Sequence, residues 1–393
     1  INLFTSQMRA MNLETEIAIS DEAPAWQTGE VYVDRYDLSL DLTDPRHPTF
    51  RARLVVGNSG AEPLESLDFK LMAALQITYA SFPFNHQGAL LRFELATPLR
   101  PGETVDLQVD YAGQIQQVTF ADNLPQLVNF IHPRGVRLSP QTAWYPQPVA
   151  VSGAATYRIQ VKSTPGMHFA ANLPETRKNI FESDEVSWVF LVGSPHLDGS
   201  IEGPISLVAA RNDLPMVKQV LPVYAESLEQ VGMFFQDVAV DRLILMALGE
   251  ESGMPDTTPP SARTLVVVSS PWVLTQLLDE EGYGRFRIGF LPLFYDFWHL
   301  SGGKVEEESK LWLDQLARFL WIRSQVGADV SQIRQELGDD PGEFIRHIMN
   351  LYQSSGDTGL QELMYELQKL TGQGSLKSHA DWEAWINEVS GAF

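Results

Sequence analysis

Residues 31–44, VYVDRYDLSLDLTD, and 50–58, FRARLVVGN, decide how this chain is read. Apolar and polar residues alternate with period two, and β-branched residues are frequent. Such alternation sets one side of an extended chain against a core and the other in water, as in a half-buried strand. The pattern continues in QGALLRFEL (87–95), ETVDLQVDYAG (103–113) and TYRIQVKS (156–163), and Pro101-Gly102 and Pro165-Gly166 mark turns. Near residue 210 the apolar period lengthens. The segment 218–237 reads as a helix, DRLILMAL (241–248) and ARTLVVVSS (262–270) read as two strands, and from 304 onward the chain is helix-like. The Pro-, Gly- and Thr-rich EESGMPDTTPPSA (250–262) reads as a loop. The expected architecture is multidomain α+β. A leading helix or tail covers 1–24, an antiparallel β-domain of sandwich or saddle form covers 25–210, and a mainly helical domain with a small sheet covers 211–393.

Composition narrows the partners. The chain has 393 residues, 44% of them apolar, enough for two or three domains with real cores. It has no cysteine, which excludes disulfides and thiolate metal sites but leaves the redox compartment open. Fifty acidic residues face 28 basic ones, for a net charge of −22. That sign opposes binding to nucleic acid or to an anionic membrane surface. The acidity is spread along the chain and reads as a solvated surface. No stretch approaches the 18 or more apolar residues of a membrane span. The chain opens INLFTSQ without methionine, so a processed protein is expected, with an extracytoplasmic or membrane-tethered setting favoured over a cytoplasmic one.

The chemistry turns on LPLFYDFWHL (291–300) and WLDQLAR (312–318). In a helix, residues i and i+4 share a face, so an HExxH segment brings two imidazoles to one zinc while its glutamate activates a water. Here the same spacing holds Tyr295, Asp296 and His299. A neutral phenol is a poor ligand, and Asp296 is one methylene shorter than glutamate. On residues alone, FYDFWHL reads as a core-facing helix with one satisfied histidine. Glu306, Glu307 and Glu308 read as the acidic first turn of a helix.

The whole chain resembles the aminopeptidase N type of zinc metallopeptidase, the gluzincins with an N-terminal β-domain. VYVDRYDLSLDLTD and FRARLVVGNSG resemble that family's opening strands, and LATPLRPGETVDLQVDYAG resembles the pair closing its first sheet. SPQTAWYPQP (139–148) resembles its tryptophan-tyrosine-proline segment, and TYRIQVKSTPGMHFAANLP the strand and turn that follow. The resemblance implies a thermolysin-like second domain. It sets Tyr295 where the first zinc histidine stands, Asp296 at the glutamate base, and His299 at the retained histidine. WLDQL then sets Gln315 at the third ligand, sixteen residues after His299, an interval shorter than the family's. The loop that recognises a substrate's amino end corresponds to Gly253, Met254, Pro255 and Asp256, with proline where the family has glutamate and Asp256 or Glu251 the nearest acid. No tyrosine occurs in 316–333 for the oxyanion, and Tyr352 and Tyr365 read as ordinary helix residues.

The resemblance therefore implies a degenerate gluzincin: a non-catalytic peptide- or protein-binding or scaffolding module, with no cofactor and with its ligand in the cleft between domains. Nucleic acid and direct membrane contact are not expected, and a flanking anchor is compatible. An alternative is a metallopeptidase with an atypical zinc site built from Asp296, His299 and a third acid such as Glu306. A purely structural domain is the third reading.

Overall fold

The computed structural model describes residues 31–121, 124–139, 142–149, 154–186, 188–235, 237–247, 264–269, 271–278, 282, 284–338 and 342–390. The expected leading segment and the 250–262 loop, with Glu251, Gly253, Met254 and Asp256, lie outside the described residues. The described residues form two compact units, 31–198 and 199–390.

The first unit is β throughout. Its seven-stranded sheet runs in the order Glu175–Arg177, Ile180–Val186, Ala155–Ser163, Val31–Leu42, Thr49–Asn58, Thr104–Ala112 and Gln76–Ala80. Pairing is antiparallel apart from Val31–Leu42 with Ala155–Ser163, which is parallel. Val33, Tyr36, Leu38, Leu40 and Leu42 are all buried. The step from Val33 to Tyr36 breaks a strict period of two, and a register shift between Val33 and Arg35 absorbs the extra residue. Smaller sheets of five and four strands complete the unit.

The parallel register sets Tyr36 opposite Tyr157, and their rings stack at 4.5 Å. Tyr145 meets Tyr36 edge-on at 5.4 Å and Trp144 at 4.8 Å. The Tyr111 hydroxyl donates to the Trp144 carbonyl at 3.1 Å. The tryptophan-tyrosine-proline segment is thus an aromatic plug inside the first unit, with Trp144 and Tyr145 fully buried. On the wetter faces, charges pair directly across strands. Arg92 grips Asp68 with two bonds of 2.7 Å, and Arg51 holds Asp110 at 2.8 and 3.0 Å.

The second unit opens with a four-stranded sheet, Leu197–Glu202, Ile205–Ala210, Arg242–Ala247 and Thr264–Ser269. The last three strands run parallel. Leu243 to Ala247 are buried without alternation, as expected for a strand covered on both faces. This pairing places residues 199–210 with the second unit, whereas local alternation assigns them to the first. Helices follow at Leu221–Gly232, Leu291–Leu300, Lys310–Val326, Val330–Leu337, Glu343–Gly372 and His379–Ser390. Glu343–Gly372 is kinked at Gly356, whose φ is 61°. Among the described residues, no helix is long and apolar enough to cross a membrane.

Trp144→Ala would empty the centre of the aromatic plug. A loss of about 3–5 kcal/mol is expected for a buried tryptophan truncation, read as a lower urea midpoint at unchanged slope.

Candidate functional site

The Leu291–Leu300 helix continues from a π-helical turn, Arg285–Phe290, and carries Pro292, which has no N–H to donate; the Ile288 carbonyl four residues earlier accepts from the Tyr224 hydroxyl at 3.0 Å. Leu293, Phe294, Phe297 and Trp298 are buried, Tyr295 is half-buried and His299 is exposed. The helix stops at Ser301-Gly302, and Gly302 has φ of +89°. The next residue, Gly303, lies directly on the Trp298 indole, where any β-carbon would overlap the ring. Gly372 is pressed against the Gly302 carbonyl in the same way. Small residues on both sides let the end of this helix seat against the Glu343–Gly372 helix.

Tyr295 does not face open space. Its hydroxyl donates to the carboxylate of Asp314 on the Lys310–Val326 helix. Gln315, expected at this place, is one residue on and therefore turned by about 100° around the helix. Its Oε1 lies 3.9 Å from where a β-carbon on Gly342 would stand, at the start of the Glu343–Gly372 helix. Asp314, not singled out from the sequence, is the residue that Tyr295 meets. The available signal was an acid beside the amide in WLDQL.

Asp296 is only 4% exposed, and no hydrogen bond to its carboxyl forms among the described residues. Burial pushes its pKa well above the ordinary carboxylate value, so the protonated acid is favoured. A base must be ionised and must face its substrate, and Asp296 is buried at the edge of an apolar core. His299 is surface-exposed, yet desolvation of its ring lowers its pKa, with an opposing contribution from the Gly303 backbone. Glu306 is exposed and serves as the cap of a short turn. Its N–H donates to Ser309 Oγ at 3.0 Å, and Ser309 Oγ donates back to its carbonyl at 2.8 Å. Glu308 accepts the His379 N–H at 3.2 Å.

The two tyrosines downstream have separate settings. Tyr352 is buried, packed edge-on to Phe319 at 5.7 Å and under Arg323, itself paired with Asp357 at 2.9 Å. Tyr365 is 72% exposed. Among the described residues, no three His, Asp or Glu side chains gather to hold a metal ion. The donor set does not fit zinc. The helix offers one imidazole, a phenol committed as a donor to Asp314, and a buried acid that prefers its proton.

The buried acid has a measurable signature. Its folded pKa exceeds its unfolded value, so the folded state holds one more proton between the two, and stability falls as pH rises through that window. Asp296→Asn cannot ionise. Its stability relative to the unsubstituted protein should rise from about pH 4 upward, by at most about 1.4 kcal/mol per pH unit. Urea midpoints between pH 4 and 8 measure this, and parallel curves would show a paired or ionised carboxylate.

No family model and no curated protein matches the chain. Solved structures do. The M1 zinc metallopeptidase from Deinococcus radiodurans has 16% sequence identity and a TM-score of 0.56, over 93% of this chain and 92% of that one. A mutant of that enzyme bound to a Tyr-Ser-Ala substrate gives 16% identity and a TM-score of 0.55, over 88% of each chain. A two-domain M1 zinc metallopeptidase mutant bound to L-tryptophan gives 17% and 0.56, over 92% of this chain and 95% of that one. Identity this low speaks to architecture, and the architecture agrees along nearly the full length: this chain has the fold of the M1 zinc metallopeptidases.

Proposed function

We propose that this protein keeps the M1 fold without its hydrolytic chemistry and binds short peptides or protein segments. The observation that carries the reading is the Tyr295–Asp314 hydrogen bond, which commits the phenol at the first candidate ligand position as a donor to the neighbouring helix. Metal-assisted hydrolysis needs a cation to acidify water and polarise the carbonyl. It also needs an ionised base and an oxyanion donor, the loss of which alone costs about 3–4 kcal/mol. Asp296 is buried and favours its neutral form, and Tyr352 is enclosed by Phe319 and Arg323. The solved relatives bind Tyr-Ser-Ala, L-arginine or L-tryptophan, so short peptides and amino acids are the ligand class for this chain in this proposal.

Protein purified without added metal should carry far less than one zinc per chain by elemental analysis. It should show no aminopeptidase turnover of aminoacyl nitroanilides when zinc is added. Calorimetry in chelator should detect saturable binding of Tyr-Ser-Ala. Stoichiometric zinc, with metal and activity both lost in His299→Ala, would replace this reading with the atypical peptidase. Absence of peptide binding at millimolar concentration would leave a structural domain.

A further inference from the structure

We infer that the hydrogen bond from Tyr295 to Asp314 is the tie between the Leu291–Leu300 and Lys310–Val326 helices, in the place where a zinc peptidase uses a bridging metal, and that this unit therefore holds its site helices together without a metal. The inference rests on the reading above that these two helices are the counterparts of the metal-binding pair, and it adds what replaced the metal.

Three observations support it. The bond joins residues nineteen apart in sequence, across the 301–309 connection, and both ends are half-buried. A hydroxyl donating to a carboxylate is roughly twice as strong as a neutral pair, and partial burial limits competition from water. Both side chains also stand on anchored helix faces. The Tyr295 ring lies 5.8 Å from that of buried Phe294, and Trp298 sits under Gly303. Asp314 is flanked by the buried residues Leu313, Leu316 and Ala317. The partners are thus positioned by packing before the bond forms, so little side-chain freedom is lost in making it.

The third observation is exclusion. The Tyr295 phenol is committed as a donor, and among the described residues no three His, Asp or Glu side chains gather to hold a cation. The single carboxyl of the Leu291–Leu300 helix, Asp296, is buried. By contrast, the Arg323–Asp357 pair involves an aspartate that is 55% exposed and open to screening by salt. A neutral donor and a half-buried acceptor make a tie less sensitive to ionic strength.

The test is a double-mutant cycle on the whole chain, by urea unfolding, with Tyr295→Phe, Asp314→Asn and the pair. Each single variant should lower the folding equilibrium constant about tenfold. The double variant should fall little further than the worse single, giving a coupling of about tenfold. Chelator and added zinc should leave the unsubstituted midpoint unmoved. Additive single effects would overturn the inference, as would a midpoint that drops in chelator. If a variant does not fold, the unsubstituted protein answers on its own. A slowly exchanging hydroxyl proton on Tyr295, in tyrosine-labelled protein by NMR, is expected, and rapid exchange with water would overturn the tie. These readouts follow folding and one proton, so failure of peptide binding would count against the proposed function and leave the tie standing.

Discussion

Burying Leu293, Phe294, Phe297 and Trp298 together fixes the rotation of the Leu291–Leu300 helix about its own axis. With 3.6 residues per turn, those four occupy one broad arc. Asp296 falls at one edge of that arc, inside the core boundary, while Tyr295 and His299 share the opposite face. The site inherits its properties from this rotation. Burial favours the protonated form of that acid. A phenol on the outer face meets whatever the next helix presents, and the next helix presents Asp314.

The same packing explains why the helix ends where it does. Trp298 is large and fully buried, so the chain leaving the helix must pass directly over the indole. Only a residue without a side chain fits there, and Gly303 is that residue. The Gly302 carbonyl then abuts Gly372, so the end of one helix is set by the end of another. Tyr295 and Asp314, both half-buried, stand beside the buried residues Phe294, Leu313, Leu316 and Ala317, and the hydrogen bond joins the two helices there.

A fold and its chemistry depend on different numbers of residues. Strand alternation, the stack of Tyr36 on Tyr157 and the plug of Trp144 and Tyr145 spread the stability of the first unit over dozens of contacts. The M1 architecture can therefore persist at 16% identity. A metal site depends on three or four side chains, far fewer than the contacts that hold a fold.

Local periodicity was enough to read five strands of the first unit, the Leu291–Leu300 helix, and the shared face of Tyr295 and His299, because side-chain direction repeats every two residues in a strand and every 3.6 in a helix. The absence of cysteine and the acidic surface were equally legible. Partner identity was not. Ile205–Ala210 alternates like its predecessors, but its parallel pairing with Arg242–Ala247, across 31 intervening residues, assigns it to the second unit. Asp314 and Gln315 are neighbours in sequence, and only the relative rotation of two packed helices turned the acid toward Tyr295 and the amide toward Gly342. Glu306, plausible as a ligand by charge, caps a turn because Ser309 folds back onto its backbone. Sequence determined which residues lie on which face of each element; tertiary structure decided what each face meets, because that depends on contacts between residues far apart in the chain.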